Sequence, residues 1–276
     1  MKLTWLGTAA FVLESGDLKI LFDPFLQLAG GETAVPAEEF ARYDTIFVTH
    51  CHFDHLYEAE ELLSEGENNN TVFCTKQCCD TLERFLEDTS NVACIRPGQT
   101  YDIFDDRCGA EPSHPAPGNP GHVRIGVLRG RHIDFRYRYI FDTLSPGRVL
   151  RYAGNLPFLY WANRIFKEAG QIVAFDIRAE KREILILGSL ALDPEETYPE
   201  NVDVLVLPYQ GNNDLPARAR EVLSRIRPKS VILSHFDNAF PPMSRTVDLR
   251  PLKRLLENEF PQIKVVKPSA FKAIEL

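Results

Sequence analysis

Basic charge is in deficit in this chain of 276 residues: 31 Lys and Arg stand against 39 Asp and Glu, a formal net charge of −8 with a pI near 5.5. That balance gives no bulk electrostatic route to nucleic acid, so no nucleic-acid partner is expected. No run approaches the roughly 18 consecutive apolar residues of a bilayer-crossing helix, and no membrane partner is expected either. The N-terminal MKLTWLGTAAFVLES alternates like a strand and lacks a cationic, cleavable leader, which points to a cytoplasmic protein. The six cysteines all lie between Cys51 and Cys108 and none forms a CxxC pair, which argues against a zinc ribbon or a thioredoxin motif. Reduced thiols in a cytosolic core are the expectation, with Cys51 set apart by its histidine neighbours.

What is present suits one large domain. Hydrophobic residues make up 44% and charged residues 25% of the chain, ordinary for a globular protein with a sizeable core. KLTWLG and AFVLES alternate, Gly16-Asp17 supplies a hairpin turn, and KILFDPF returns. DTIFVTH is a short apolar, β-branched run, expected to be a buried strand that ends at histidines. Helices are expected over LYEAEELLSE, KQCCDTLERFLED, Pro216 to Arg227 and about Val247 to Glu259, with strands between them. A Pro/Gly-rich loop covers 107–121, and His114 and His122, in or beside it, are expected at the surface. A second hairpin, QIVAFDIR-AEKR-EILILGS, repeats the opening theme, so the fold class is α/β: two mixed sheets packed face to face with helices outside.

Histidine is scarce, at seven residues, yet three of them fall within VTHCHFDH, Val48 to His55. Imidazole and carboxylate are good ligands for zinc and its neighbours. His50 and His52 are two apart, so on an extended segment they point the same way, and Asp54 and His55 can turn to a second position. The spacing suits a loop after a strand rather than a helical HExxH. His132 closes RIGVLRGRH and His235 closes KSVILSH, which completes two sets of three: His50, His52 and His132 for one ion, Asp54, His55 and His235 for the other. Each set leaves positions open for water, as catalytic sites do.

THCHFDH matches the THxHxDH signature of the metallo-β-lactamase-fold hydrolases. TWLGTAAFVLESGDLKILFDPF also resembles that superfamily, especially its branch similar to the L-ascorbate-6-phosphate lactonases, and ILILGS and VILSHFDNAFPP follow in the right order. The resemblance implies an αββα sandwich with its site at one edge of the sheets, and zinc as cofactor, one or two ions, or manganese or iron. It implies that Asp23, in FDPF, supports the histidine loop by hydrogen bonding. Most hydrolases of this fold carry a bridging Asp in Gly-Asp-Thr; this chain has Gly188-Ser189-Leu190, leaving Ser189 as a substituted position and Asp193 as the nearest carboxylate. The branch's frequent His is Thr8 here.

The chemistry expected is hydrolysis of a small ester, lactone or phosphoester by a metal-bound hydroxide, with Asp54 orienting the nucleophile. The alternatives are a non-catalytic or partly degenerate metal-binding protein, or a nuclease of the same fold. Arg129, Arg131, Arg136, Arg138, Arg148 and Arg151 form a basic island that offers Arg131 to an anionic substrate, or else a solvated face of local ion pairs. Tyr209 and Asn212, in LPYQGNNDL, are candidate pocket residues. An insertion at about 135–170, rich in Leu156, Phe158, Leu159, Trp161, Ile165 and Phe166, is expected to pack on the core, or to act as a lid or a homo-oligomer contact over 150–170.

Overall fold

The computed structural model describes residues 1–64, 70–104, 118–134 and 143–276. One seven-stranded sheet contains β1 (Lys2–Gly7), β2 (Ala10–Ser15), β3 (Leu18–Phe22), β4 (Thr45–Phe47), β5 (Thr71–Thr75), β6 (Val92–Ile95) and β14 (Ala273–Glu275), in the order β14-β1-β2-β3-β4-β5-β6. The other contains β7 (Thr100–Phe104), β8 (His122–Arg129), β9 (Val173–Ala179), β10 (Arg182–Leu187), β11 (Val204–Pro208), β12 (Ser230–Ser234) and β13 (Lys264–Val266), in the order β13-β12-β11-β10-β9-β8-β7. Both sheets are mixed. Antiparallel pairing through β1, β2 and β3 gives way to parallel β3-β4-β5-β6, and β7 to β10 gives way likewise to parallel β10-β11-β12-β13. The repeated theme expected from the sequence is this double pattern, and the α/β class with two mixed sheets holds.

Alternation explains why the sheets face each other. In β2, β3 and β4 the residues Phe11, Leu13, Ile20, Phe22 and Phe47 belong to the same core as Phe175 and Ile177 of β9. Their neighbours Ala10, Val12, Leu21 and Ile46 belong to a second core on the outer face. A strand with both faces covered reads as continuously apolar, as these do. Phe175 lies 5.7 Å from Phe22 and 5.4 Å from Phe47 between ring centroids, which stitches the sheets together.

Helices cover the outsides. On the first sheet, α1 (Phe53–Ser64) buries Leu56, Ala59 and Leu62 over the second core. The expected insertion carries α3 (Pro146–Arg151) and α4 (Leu156–Ile165); Leu159, Ala162 and Phe166 join that second core while Tyr160 stays exposed. On the second sheet lie α5 (Leu215–Ile226) and α6 (Arg250–Glu259). Among the described residues no helix is long and apolar enough to cross a membrane.

Two expectations are corrected here. Cys79 of α2 (Lys76–Leu82) and Cys94 of β6 form a disulfide with Cα atoms 6.1 Å apart, because α2 follows β5 directly and packs back onto β6; Cys51, Cys74 and Cys78 are free and buried. His122 is buried rather than at the surface. It opens β8 opposite Phe104, stacks on that ring at 4.6 Å and bonds Asp102 Oδ1 at 2.7 Å. His114, Cys108, Arg136, Arg138 and most of the Pro/Gly-rich loop lie outside the described residues.

Candidate metal centre

Strand direction gathers the candidate ligands. β3 and β4 run parallel, as do β10, β11 and β12, and β8 runs with β10 through antiparallel β9, so their C-terminal ends share an edge in each sheet. Asp23 follows β3, His50 and His52 follow β4, His132 follows β8, Ser189 follows β10 and His235 follows β12. A crevice outside the carboxyl ends of strands is where open α/β sheets bind ligands. The loop ends sooner than the sequence suggested: α1 starts at Phe53, so Asp54 and His55 project from its first turn. Asp23 and His235 adopt left-handed backbone, with φ 45° and 55°, an uncommon conformation for residues other than glycine. Backbone bonds hold it: His235 N–H donates to Thr8 O at 2.7 Å and Asp23 N–H to Phe47 O at 3.0 Å.

Six donors meet in two sets. His50, His52 and His132 form one, and Asp54, His55 and His235 the other; within each set the ligand-type atoms lie within 4.8 Å of one another. Neighbouring groups leave ring nitrogens for an ion. His132 Nδ1 donates to Ile133 O at 2.8 Å, His55 Nδ1 lies 3.0 Å from Asp23 Oδ2, and His50 Nδ1 lies 3.0 Å from Thr49 Oγ1. In each case Nε2 remains, the arrangement that ligating histidines adopt. Asp23 is itself fixed by Thr49, whose N–H and Oγ1 donate to it at 2.7 and 2.9 Å. Between the ligands, His50 Nε2 lies 3.0 Å from His52 Nδ1, and Asp54 Oδ2 lies 2.9 Å from His235 Nε2. His235 Nδ1 is buried without a hydrogen-bond partner among the described residues. Imidazole nitrogens and one carboxylate, converging and mostly buried, fit a borderline divalent ion such as zinc.

Burial sets the protonation states. It pushes His50 well below the ordinary imidazole value, pushes His52 down to about 3 against the pull of Asp54, and lowers His132. Burial also opposes the charged form of His55, but Asp23 and Asp54 outweigh it and raise that group. On Asp54 burial acts upward, and His55 and His235 overcome it and hold the carboxyl far below its usual range. His50, His52 and His132 therefore stay neutral at pH 7, as ligands must be, while an ion held beside His55 would compete with its proton. The stability of the metal-free protein follows. The depressed histidines contribute fully above the unfolded value of 6.5 and lose that contribution as pH falls, for His52 through about 3. His55 runs the other way: its contribution is present below 6.5 and is lost as pH rises through its raised folded value. His55 adds no slope below 6.5, so thermal scans of chelated protein should show Tm dropping between pH 6.5 and 3; a Tm that climbs on acidification would contradict the neutral imidazoles.

Residues 19–236 match the beta-lactamase superfamily domain. The chain belongs to that superfamily. Within it, it belongs with the UPF0173 metal-dependent hydrolases: TK0141 of Thermococcus kodakarensis is 45% identical over 271 residues, 97% of each chain. A UPF0173 relative from Archaeoglobus fulgidus is 43% identical over 89 residues, which span 32% of this chain and 36% of that one. The structure of Igni18, a metallo hydrolase from Ignicoccus hospitalis, superposes with a TM-score of 0.58 at 16% identity, covering 100% of this chain and 98% of that one. That last likeness shows the metallo-β-lactamase fold. These likenesses reach the superfamily and not its lactonase-like branch.

The six candidate ligands line the floor of a cavity of about 310 Å³. Ser189 lines it, but its Oγ accepts from Ile133 N–H at 3.0 Å, so the hydroxyl holds the segment that carries His132. Ser189→Ala should leave that buried N–H unpaired and cost about 1–3 kcal/mol of stability while metal content is retained. Loss of one ion per chain in that variant would instead mark Ser189 as a ligand. Asp193 does not reach the cavity; it lies in a neighbouring recess with Arg131 and Glu195 and caps Glu195 N–H at 2.9 Å. Arg131 is half exposed and pairs with Asp134 at 3.8 Å, outside the cavity.

Tyr209 and Asn212 are also displaced from the expected pocket. Tyr209 N–H continues the sheet ladder to Ser234 O at 2.9 Å, which turns its ring into the core. Asn212 Nδ2 donates to Asp134 O at 2.8 Å and ties two loops together. The residues between them, Gln210 and Gly211, line the cavity, with Phe53, Leu144, Phe240 and Met243, which the sequence pattern did not single out. Thr8 sits behind His235 and holds it by the backbone contact described above.

Proposed function

We propose that this member of the superfamily is a metal-dependent hydrolase of a small ester, lactone or phosphoester, with His50, His52 and His132 holding one ion and Asp54, His55 and His235 the other. The convergence of those six donors at the floor of one cavity carries the reading. A bound divalent ion, zinc on this donor set, would lower the pKa of water and polarise the scissile carbonyl or phosphoryl group. The chain's own residues supply the rest. Asp23 and Thr49 fix the His55 and His50 rings, and Ile133 O fixes the tautomer of His132. Asp54 is the catalytic group, its low carboxyl pKa keeping it an acceptor that orients the attacking water. The apolar side chains of the lining lower the local polarity, which strengthens the charge interactions among the six donors.

Metal analysis with turnover tests the reading. About two ions per chain, and hydrolysis of generic esters, lactones or phosphodiesters that chelation stops and added ion restores, is the expected result. One observation favours the second reading, a metal-binding protein without turnover: among the described residues no carboxylate stands in for the bridging aspartate, since Asp193 lies in the neighbouring recess. Bound metal with no hydrolysis across the panel would support it.

A further inference from the structure

We infer that the cavity above the candidate ligands selects a neutral, apolar group, so that the non-reacting part of the substrate is a short aliphatic or aromatic moiety rather than a charged one. The inference rests on the hydrolytic reading and adds the substrate class to it. The walls above the floor are Phe53, Ile133, Leu144, Leu190, Phe240 and Met243. Among the described lining residues there is no Lys or Arg, and Asp54 is the sole carboxylate. The amide donors that line the cavity are engaged with the protein. Gln210 Nε2 donates to Asp237 O at 3.1 Å and Arg245 O at 2.7 Å, and Asn163 Nδ2 donates to Leu159 O at 2.8 Å and meets Met243 Sδ at 3.7 Å across the rim.

The described cations nearby face other groups. Arg131 pairs with Asp134, Arg148 donates to Ser244 O at 2.6 Å and Arg164 to Tyr160 Oη at 2.7 Å. Against the described lining a charged tail would lose its hydration and meet no Lys or Arg, which is costly; a hydrocarbon tail gains by burial. Ligand cavities run from about 300 to 1,000 Å³, and 310 Å³ sits at the small end, which limits the group to a few carbons or one ring. Of the basic island drawn from the sequence, Arg129, Arg131, Arg148 and Arg151 do not line this cavity, and Arg136 and Arg138 lie outside the described residues.

Met243 supplies the reporter. It is one of two methionines and sits 36% exposed at the mouth, while the other, Met1, ion-pairs with Glu180 at the opposite end of its strand from Gly7. With methyl-¹³C-methionine in the metal-loaded protein, butanoate, hexanoate and octanoate should shift the Met243 signal and leave Met1 still. Kd should fall about fourfold per added methylene until the cavity fills. Adipate, hexanoate with a second carboxylate at its tail, should bind at least about tenfold more weakly. Adipate binding as tightly as hexanoate, or no dependence on chain length, overturns the inference. Leu144→Lys should reverse the order of hexanoate and adipate; an unchanged order also counts against it. Chelated protein titrated with butanol to octanol separates this inference from the hydrolytic reading. Chain-length-dependent shifts of Met243 without any hydrolysis in the loaded protein uphold the apolar cavity and remove the hydrolase. Hydrolysis with Met243 unmoved by the alcohols removes the apolar selection alone.

Discussion

Asp54→Ala is expected to abolish hydrolysis, lowering turnover by at least about a thousandfold, and to reduce metal content toward one ion per chain. The carboxylate is the only anionic donor in either set, and it lies 2.9 Å from His235 Nε2 and 3.9 Å from His55 Nε2. Without it, the second set keeps two imidazole donors and loses the charge that offsets a divalent cation. The fold should survive, because Asp54 is on the first turn of α1, whose hold on the sheet comes from Leu56, Ala59 and Leu62. Thermal unfolding of the chelated variant separates these effects: a Tm close to that of the chelated parent, with activity gone, is the expected pair of results. Full turnover in Asp54→Ala would remove Asp54 from the mechanism and with it the two-set reading. Asp54→Asn sharpens the test, since it preserves shape while removing the charge; it should bind metal more weakly than the parent and still fail to turn over.

The convergence of the six candidate ligands was legible in the sequence because of where strands end. DTIFVTH, RIGVLRGRH and KSVILSH each show an apolar run stopping at or just before a histidine, and parallel strands bring such ends to one edge. The face a residue takes beyond the strand was not legible. Side chains alternate along a strand, so one residue of extra ladder exchanges core for cavity. Tyr209 was placed in the pocket and Gln210 was not; the bond from Tyr209 N–H to Ser234 O extends the ladder by one step and reverses the two. His122 shows the same limit, because its burial depends on Phe104 opposite it in a strand 18 residues earlier. The Cys79–Cys94 pair depends on how α2 packs against β6, a tertiary contact that cysteine spacing alone does not encode. The lining of the cavity comes from α1, α4, the residues just before α3 and the loops after β8, β10, β11 and β12, and no local pattern marks residues gathered from so many segments.

Asp23→Ala is the substitution expected to damage site and fold together. Asp23 is 2% exposed and its carboxylate receives Thr49 N–H, Thr49 Oγ1–H and the His55 Nδ1 contact, so it joins the end of β3 to the loop after β4 and to the first turn of α1. Truncation leaves those buried donors unpaired, at about 1–3 kcal/mol for each one that cannot find another partner. It also frees the His55 ring to rotate and removes the partner that raises its basicity; groups in this position typically account for about 10–100-fold in metal affinity. Asp23→Asn keeps a carbonyl oxygen that can accept from Thr49 or His55 but not the charge. It should recover most of the lost Tm while recovering little of the metal affinity. That split identifies Asp23 as a positioning residue for His55 rather than a packing residue. Equal recovery of both by Asn would mean that hydrogen bonding alone, without the carboxylate charge, sets the ring. The measurements are thermal unfolding of the chelated proteins and competition of each loaded protein against a chelator of known affinity.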